Sequence, residues 1–259
     1  MKYMGIVTFI GGLLVLVLAF GFIFQVPFVI HIWPWTDGRL SYIFVGSILA
    51  AISASAIWIG WSGELGALSG GALNISVIAI TSTIYYLQLA LSGSRPNLLA
   101  YGIVSLLATL ISSIIFFRSR RIPLSVSILT PQWVRISFGI FLAALTLASL
   151  ALIFHLPIFP WALNADSSVI FGCTFLGNAA YFLYGLLFPN WHNAKGQLLS
   201  FLAYDIVLIG PFFALFGTIK PQFELSLILY VAVLIYSGAV AVYYLFFNPQ
   251  TRTWTRNNP

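Results

Sequence analysis

The chain has 259 residues, of which 61% are hydrophobic and 6% charged, so it lacks the polar surface of a water-soluble domain and takes the bilayer as its solvent. Its formal charge of +6 is small and dispersed, which excludes a basic tract for gripping nucleic acid. A lone cysteine, Cys173, excludes an internal disulfide and a thiolate metal cluster.

The apolar runs are continuous and about twenty residues long, so they predict helices. A barrel would alternate over segments of about ten. The first run, 5–24, follows Lys2 and ends at Pro27. Ala19-Phe20-Gly21 is weakly signal-peptidase-like, but the second half carries a counterpart run that cannot be a signal. The first span is therefore expected to be retained. An aromatic connector follows, His31-Ile32-Trp33-Pro34-Trp35, with Asp37-Gly38 as a turn. The second span is 43–61. Its Gly46, Ala50 and Ala54 recur every four residues and form a helix-packing face. Glu64 lies in a short turn before the third span, 67–90, and the fourth is 98–117.

Arg118-Ser119-Arg120-Arg121 closes the first half. Arg118, Arg120 and Arg121 suit anionic lipid headgroups. The connector that follows, 122–135, includes an apolar stretch, 124–129, expected on the membrane surface. The remaining spans are 136–154, 168–188, 197–216 and 225–247. A second Pro-Trp connector separates the first two of these, and Gly210-Pro211 is expected to kink the third. The tail, 248–259, is polar.

Lys2, Arg118, Arg120, Arg121, Arg135, Lys195, Arg252 and Arg256 fall on one side of this arrangement. Arg39, Arg95 and Lys220 fall on the other. Both termini are therefore expected in the cytoplasm and both Pro-Trp connectors outside.

The halves align in pieces. Phe24, Val26 and Pro27 match Phe154, Leu156 and Pro157. Pro34, Trp35, Ser41 and Gly46 match Pro160, Trp161, Ser167 and Gly172, and the stretch around Asn74 matches that around Asp205. The expected fold is all-α integral membrane, with about eight transmembrane helices in two parallel four-helix repeats, 1–121 and 136–247. Trp33-Pro34-Trp35 through Gly46 and Phe159-Pro160-Trp161 through Gly172 resemble a group of uncharacterised bacterial polytopic membrane proteins, which carry Pro-Trp segments before a small-residue helix. The resemblance implies a bacterial inner or plasma membrane and no particular activity. That group often has a further proline where this chain has Thr36 and Ala162.

Asp205 is the acid set deep in a span, roughly 12 Å past Gln197 at the usual helical rise. An ionisable group there is a site candidate by default. Asn178 and Tyr181 are its expected hydrogen-bonding neighbours, and Asn74 its counterpart in the first half. His31, His155 and Gln25 form a second candidate group on the outer face, near Asp37 and Asp166, with no recognisable metal-ligand spacing. His192 reads as a loop residue. No phosphate loop or HExxH is present, and no motif implies a cofactor.

Three functions fit. The first is a non-enzymatic membrane module, packing through Gly46, Ala50, Ala54 and Gly172 against partner subunits, a second copy or lipids. The second is a small-solute transporter, proton-coupled through Asp205. The third is an enzyme acting on a lipid or isoprenoid.

Overall fold

The computed structural model describes residues 2–252; the end of the predicted tail, 253–259 with Arg256, lies outside the described residues. The chain is an all-α polytopic membrane protein, with eight helices among the described residues long and apolar enough to cross a bilayer. Helix α1 is Lys2–Ile23, and a single turn, α2, is Pro27–Ile30. Then come α3 (Arg39–Ser62), α4 (Leu68–Leu91), α5 (Leu99–Ser119), α6 (Gln132–Ile153), α7 (Ala165–Leu187), α8 (Trp191–Phe213) and α9 (Pro221–Val242). A π-helical turn, Tyr243–Phe247, extends α9.

Helices α7 and α8 start earlier than hydropathy predicts, because asparagines cap them. Asn164 accepts the Asp166 N–H at 2.9 Å and opens α7. Asn190 accepts the His192 N–H at 2.8 Å and opens α8 six residues before Gln197. Each satisfies an amide that has no partner inside the helix. Pro211 lies in the last turn of α8, so the helix runs through it and stops at Phe213. The connector after α5 is tied to the α7–α8 turn: Trp191 N–H donates to Ile128 O at 2.8 Å, Thr130 N–H to Pro189 O at 3.0 Å, and Asn190 Nδ2 to Val126 O at 2.7 Å.

The helices pack in adjacent pairs: α1 with α3, α4 with α5, α6 with α7, and α8 with α9. The most extensive contacts between the pairs are α3 with α8 and α4 with α7; α3 also touches α4, and α7 touches α8. Helices α3, α4, α7 and α8 therefore form the centre, with α1, α5, α6 and α9 outside. Exchanging the first four spans for the last four leaves this contact list unchanged. The outer helices expose Leu14, Val104, Ile111, Leu147 and Leu229, as lipid-facing surfaces do.

Local details match across the two sets. Gln25 and His155 both take left-handed backbone, with φ of 54° and 58°. The next amides, Val26 and Leu156, bond back to Gly21 O and Ala151 O, each at 2.8 Å. Each is a helix-ending turn of the kind that a left-handed residue closes, with proline next in the chain. The small-residue stripe of α3 is used inside the chain. A Cβ on Gly46 would meet Ile23 and Ala19 O, and one on Gly60 would meet the backbone of Phe9, all on α1. Ser53 Oγ donates to Gly12 O at 2.9 Å in the same seam. Ala50 is buried and Ala54 half-buried along this helix. Gly172 seats α6 in the same way.

Candidate functional site

A cavity of about 720 Å³ lies among α3, α4, α6, α7, α8 and α9. Most of its wall is apolar, including Ile48, Ile78, Leu145 and Phe175. Its polar residues are Ser55 from α3, Asn74 from α4, Asn178 and Tyr181 from α7, Gln197, Ser200 and Tyr204 from α8, and Ser226, Tyr230 and Tyr236 from α9. A mostly apolar pocket with a few converging polar groups is the usual form of a small-molecule site.

Helical spacing explains the convergence. Gln197, Ser200 and Tyr204 recur every three to four residues, so they share one face of α8; Asn178 and Tyr181 do the same on α7. Asn74 Nδ2 donates to Asn178 Oδ1 at 3.0 Å, bridging the two helix sets. Gln197 Nε2 donates to Tyr181 O at 2.5 Å, and the hydroxyls of Tyr204 and Tyr230 share a hydrogen bond of 2.5 Å. Asn74 Oδ1 and Gln197 Oε1 are buried and have no hydrogen-bond partner among the described residues.

Asp205 is buried beside this cavity but does not line it. The expected partners Asn178 and Tyr181 are engaged elsewhere. Asp205 turns to α9 instead, where Ser237 Oγ donates to its two carboxylate oxygens at 3.0 and 2.9 Å. Gly238 makes room beside it: an added Cβ would lie 3.4 Å from Oδ2. Asn74 and Asp205, matched by sequence, thus face different neighbours. By contact the residue of α8 that corresponds to Asn74 is Ser200. Asn74 lies against Gly177 of α7, while Ser200 Oγ donates to Ala51 O of α3 at 2.9 Å. Residues 51 and 177, and 74 and 200, are each 126 apart, the same offset as Gly46 and Gly172.

No family model, curated protein or solved structure matches the chain.

The outer connectors hold a separate polar network. Asp37 Oδ2 accepts from Trp33 Nε1 at 2.6 Å and from Ser167 Oγ at 2.5 Å. Trp161 Nε1 donates to Ser41 Oγ at 3.0 Å. Each connector thus grips the serine that opens the other set's central helix. Asp166 accepts from Tyr85 at 2.7 Å and pairs with Arg95 at 3.0 Å. The three outer-face candidates have local roles. Gln25 and His155 close the two turns, and His31 Nδ1 lies 2.5 Å from Pro27 O. Among the described residues, no three His, Cys, Asp or Glu side chains are grouped to hold a metal ion.

At the opposite end, sequence reading missed a cluster around Glu64. Ser125 donates to Glu64 through both its hydroxyl and its N–H, and His192 Nδ1 lies 3.0 Å from Glu64 Oε2. Burial pushes the Glu64 carboxyl up, but the hydrogen bonds from Ser125 and His192 outweigh it and hold the group below the usual carboxylate range. His192 is therefore no free loop residue: it sits in the first turn of α8, edge-on to Trp58. Lys195 stands 5.2 Å over the same indole. Arg120 lies over Phe116 at 5.5 Å and lines a shallower cavity of about 440 Å³ with Asn190 and Asn193. Arg118 closes the last turn of α5.

Proposed function

We propose that this protein binds a small, largely apolar molecule at bilayer depth and passes it across or along the membrane. The observation that carries this reading is the cavity of about 720 Å³ at the junction of the two helix sets, walled by apolar side chains with a handful of amides and hydroxyls. We read the two sets as parallel repeats, supported by the interchangeable contact list and the matched turns and glycine seats. The cavity then lies where two such units meet, the place where repeat-built transporters bind their solutes. The Pro-Trp resemblance supports a bacterial inner or plasma membrane. The distribution of arginine and lysine supports cytoplasmic termini.

This reading is closest to a transporter for a lipophilic solute. Asp205 takes no direct part in it, because its carboxylate points to α9. The reading also leaves aside the stripe at Gly46, which α1 already covers.

The test is photolabelling in proteoliposomes with an uncharged phenyl diazirine, mapped by mass spectrometry. Labelling of buried Gln197 and Phe175 is expected in the wild-type protein. It should be lost in Gly71→Phe, since Gly71 lines the cavity and has open space where a side chain would begin. Labelling confined to the lipid-facing residues, or unchanged by Gly71→Phe, would sink the proposal.

A further inference from the structure

We propose that the smaller cavity, at the end of the molecule where α5 and α7 stop, holds the phosphate of an anionic membrane lipid on Arg120. This site is separate from the larger cavity and does not depend on what that cavity binds.

The first observation is unmet charge. Among the described residues, Arg118, Arg120 and Arg121 make no ion pair. The acid at this end, Glu64, is already taken up by Ser125 and His192. Of the three arginines, only Arg120 lines the cavity of about 440 Å³, and no Asp or Glu lines it beside Arg120.

Arg120 is held by an aromatic ring. Its guanidinium lies 5.5 Å over Phe116, and Phe116 meets Tyr184, a lining residue, edge-on at 6.1 Å. A ring face attracts the cation without using up its N–H groups, so the planar fork that suits a phosphate stays available. Two further donors stand nearby. Ser127 and Tyr184 line the same cavity, and neither hydroxyl has a hydrogen-bond partner among the described residues. Arg120 and Ser127 are both exposed, so an incoming head can reach them.

The rim points to a lipid as the source of the phosphate. Arg120 follows the last residue of α5, and Phe188 follows the last residue of α7. The cavity therefore sits at the level where spans end and lipid heads begin. Leu129 and Phe188 line it and are 69% and 46% exposed. Leu187 and Phe117, beside them, are exposed as well. A lipid can lay its chains along this apolar rim while its phosphate reaches Arg120. A zwitterionic head fits less well, because it brings a cation to a wall that has an arginine and no carboxylate.

The test is native mass spectrometry of the full chain, titrated in detergent with phosphatidylglycerol or with phosphatidylcholine of the same acyl chains. The wild type should bind phosphatidylglycerol with an apparent Kd about tenfold below that for phosphatidylcholine, the effect of one charge-assisted hydrogen bond. Arg120→Gln should remove this preference, whereas Arg118→Gln and Arg121→Gln should keep it. Equal affinity for the two lipids would overturn the proposal, and that comparison needs no variant, so a substitution that fails to fold does not remove the test. Equal loss from all three arginine variants would overturn the assignment to this cavity and leave only a general basic surface. Excess inorganic phosphate should leave the bound phosphatidylglycerol in place. Displacement by phosphate that vanishes in Arg120→Gln would identify a free phosphate, not a lipid, as the ligand.

Discussion

Gly46 and Gly172 occupy the same seat in different helices. A Cβ on Gly46 would lie 2.6 Å from Ile23 Cγ1 and 3.0 Å from Ala19 O; one on Gly172 would lie 2.8 Å from Ile153 Cγ1 and 2.9 Å from Ser149 O. Without a driving force from water, helices in lipid associate through such close backbone approach. Gly139, on lipid-facing α6, has nothing within 4 Å of an added Cβ.

Gly46→Ala and Gly172→Ala should therefore each destabilise the protein by about 1–3 kcal/mol, the typical cost of forcing a methyl into a packed seam. Gly139→Ala should be neutral, or stabilising by up to about 1 kcal/mol through helix propensity. Thermal unfolding in detergent compares the three. Equal effects would show that the seam does not seat on glycine.

The Asn74–Asn178 bond crosses between the helix sets. Asn74→Leu should cost about 1–3 kcal/mol, because Asn178 Oδ1 loses its donor in a mostly apolar wall. Asn178→Leu should cost a similar amount. The double variant should cost less than the sum by about 0.5–3 kcal/mol, the coupling expected of partners in contact. Strict additivity in unfolding measurements would mean the two amides do not act as a pair.

The eight spans were legible because a bilayer demands long apolar runs, and Pro27 marked the end of the first. The cavity was not. Spacing shows which residues share a face of one helix, but not which helix that face meets. Asp205 was thus expected toward Asn178 or Tyr181 and turns to Ser237. Gln197 was read as the edge of a span, since Asn190, His192, Asn193 and Lys195 look like a loop by hydropathy. They form the first turns of α8 because Asn190 caps the helix and Trp191 and Ala194 are buried. Glu64 gave no signal, for its partners lie 61 residues away in the connector and 128 residues away at the start of α8.

Asp37 holds the outer platform together by accepting from Trp33 and Ser167 through one oxygen. Asp37→Ala removes both bonds and should cost about 1.5–3 kcal/mol, the range for hydrogen bonds to a charged group. Asp37→Asn can keep an acceptor in place and should cost less than half as much. Unfolding temperatures of the two variants decide this. An asparagine variant as damaged as the alanine one would point to charge, not hydrogen bonding, as the source of the effect.

Glu64 ties the α3–α4 turn to the connector and to the start of α8, and its carboxyl sits below its ordinary value of 4.5. A carboxyl whose pKa is lower folded than unfolded stabilises the fold only while it is ionised. The contribution is therefore full above about pH 4.5 and fades as pH falls through the lowered folded value. Glu64→Gln lacks that charge at every pH. Near neutrality it should be less stable than the wild type by about 1–3 kcal/mol, since charge-assisted bonds to Ser125 and His192 become neutral ones. As pH is lowered from 4.5 through the depressed folded value, the wild type should lose this advantage and the two melting curves should converge. Melting temperatures of both proteins at stepped pH provide the check. A gap that stays constant down to the lowest pH would show that ionised Glu64 does not hold the connector, and that its hydrogen-bonding shape alone does.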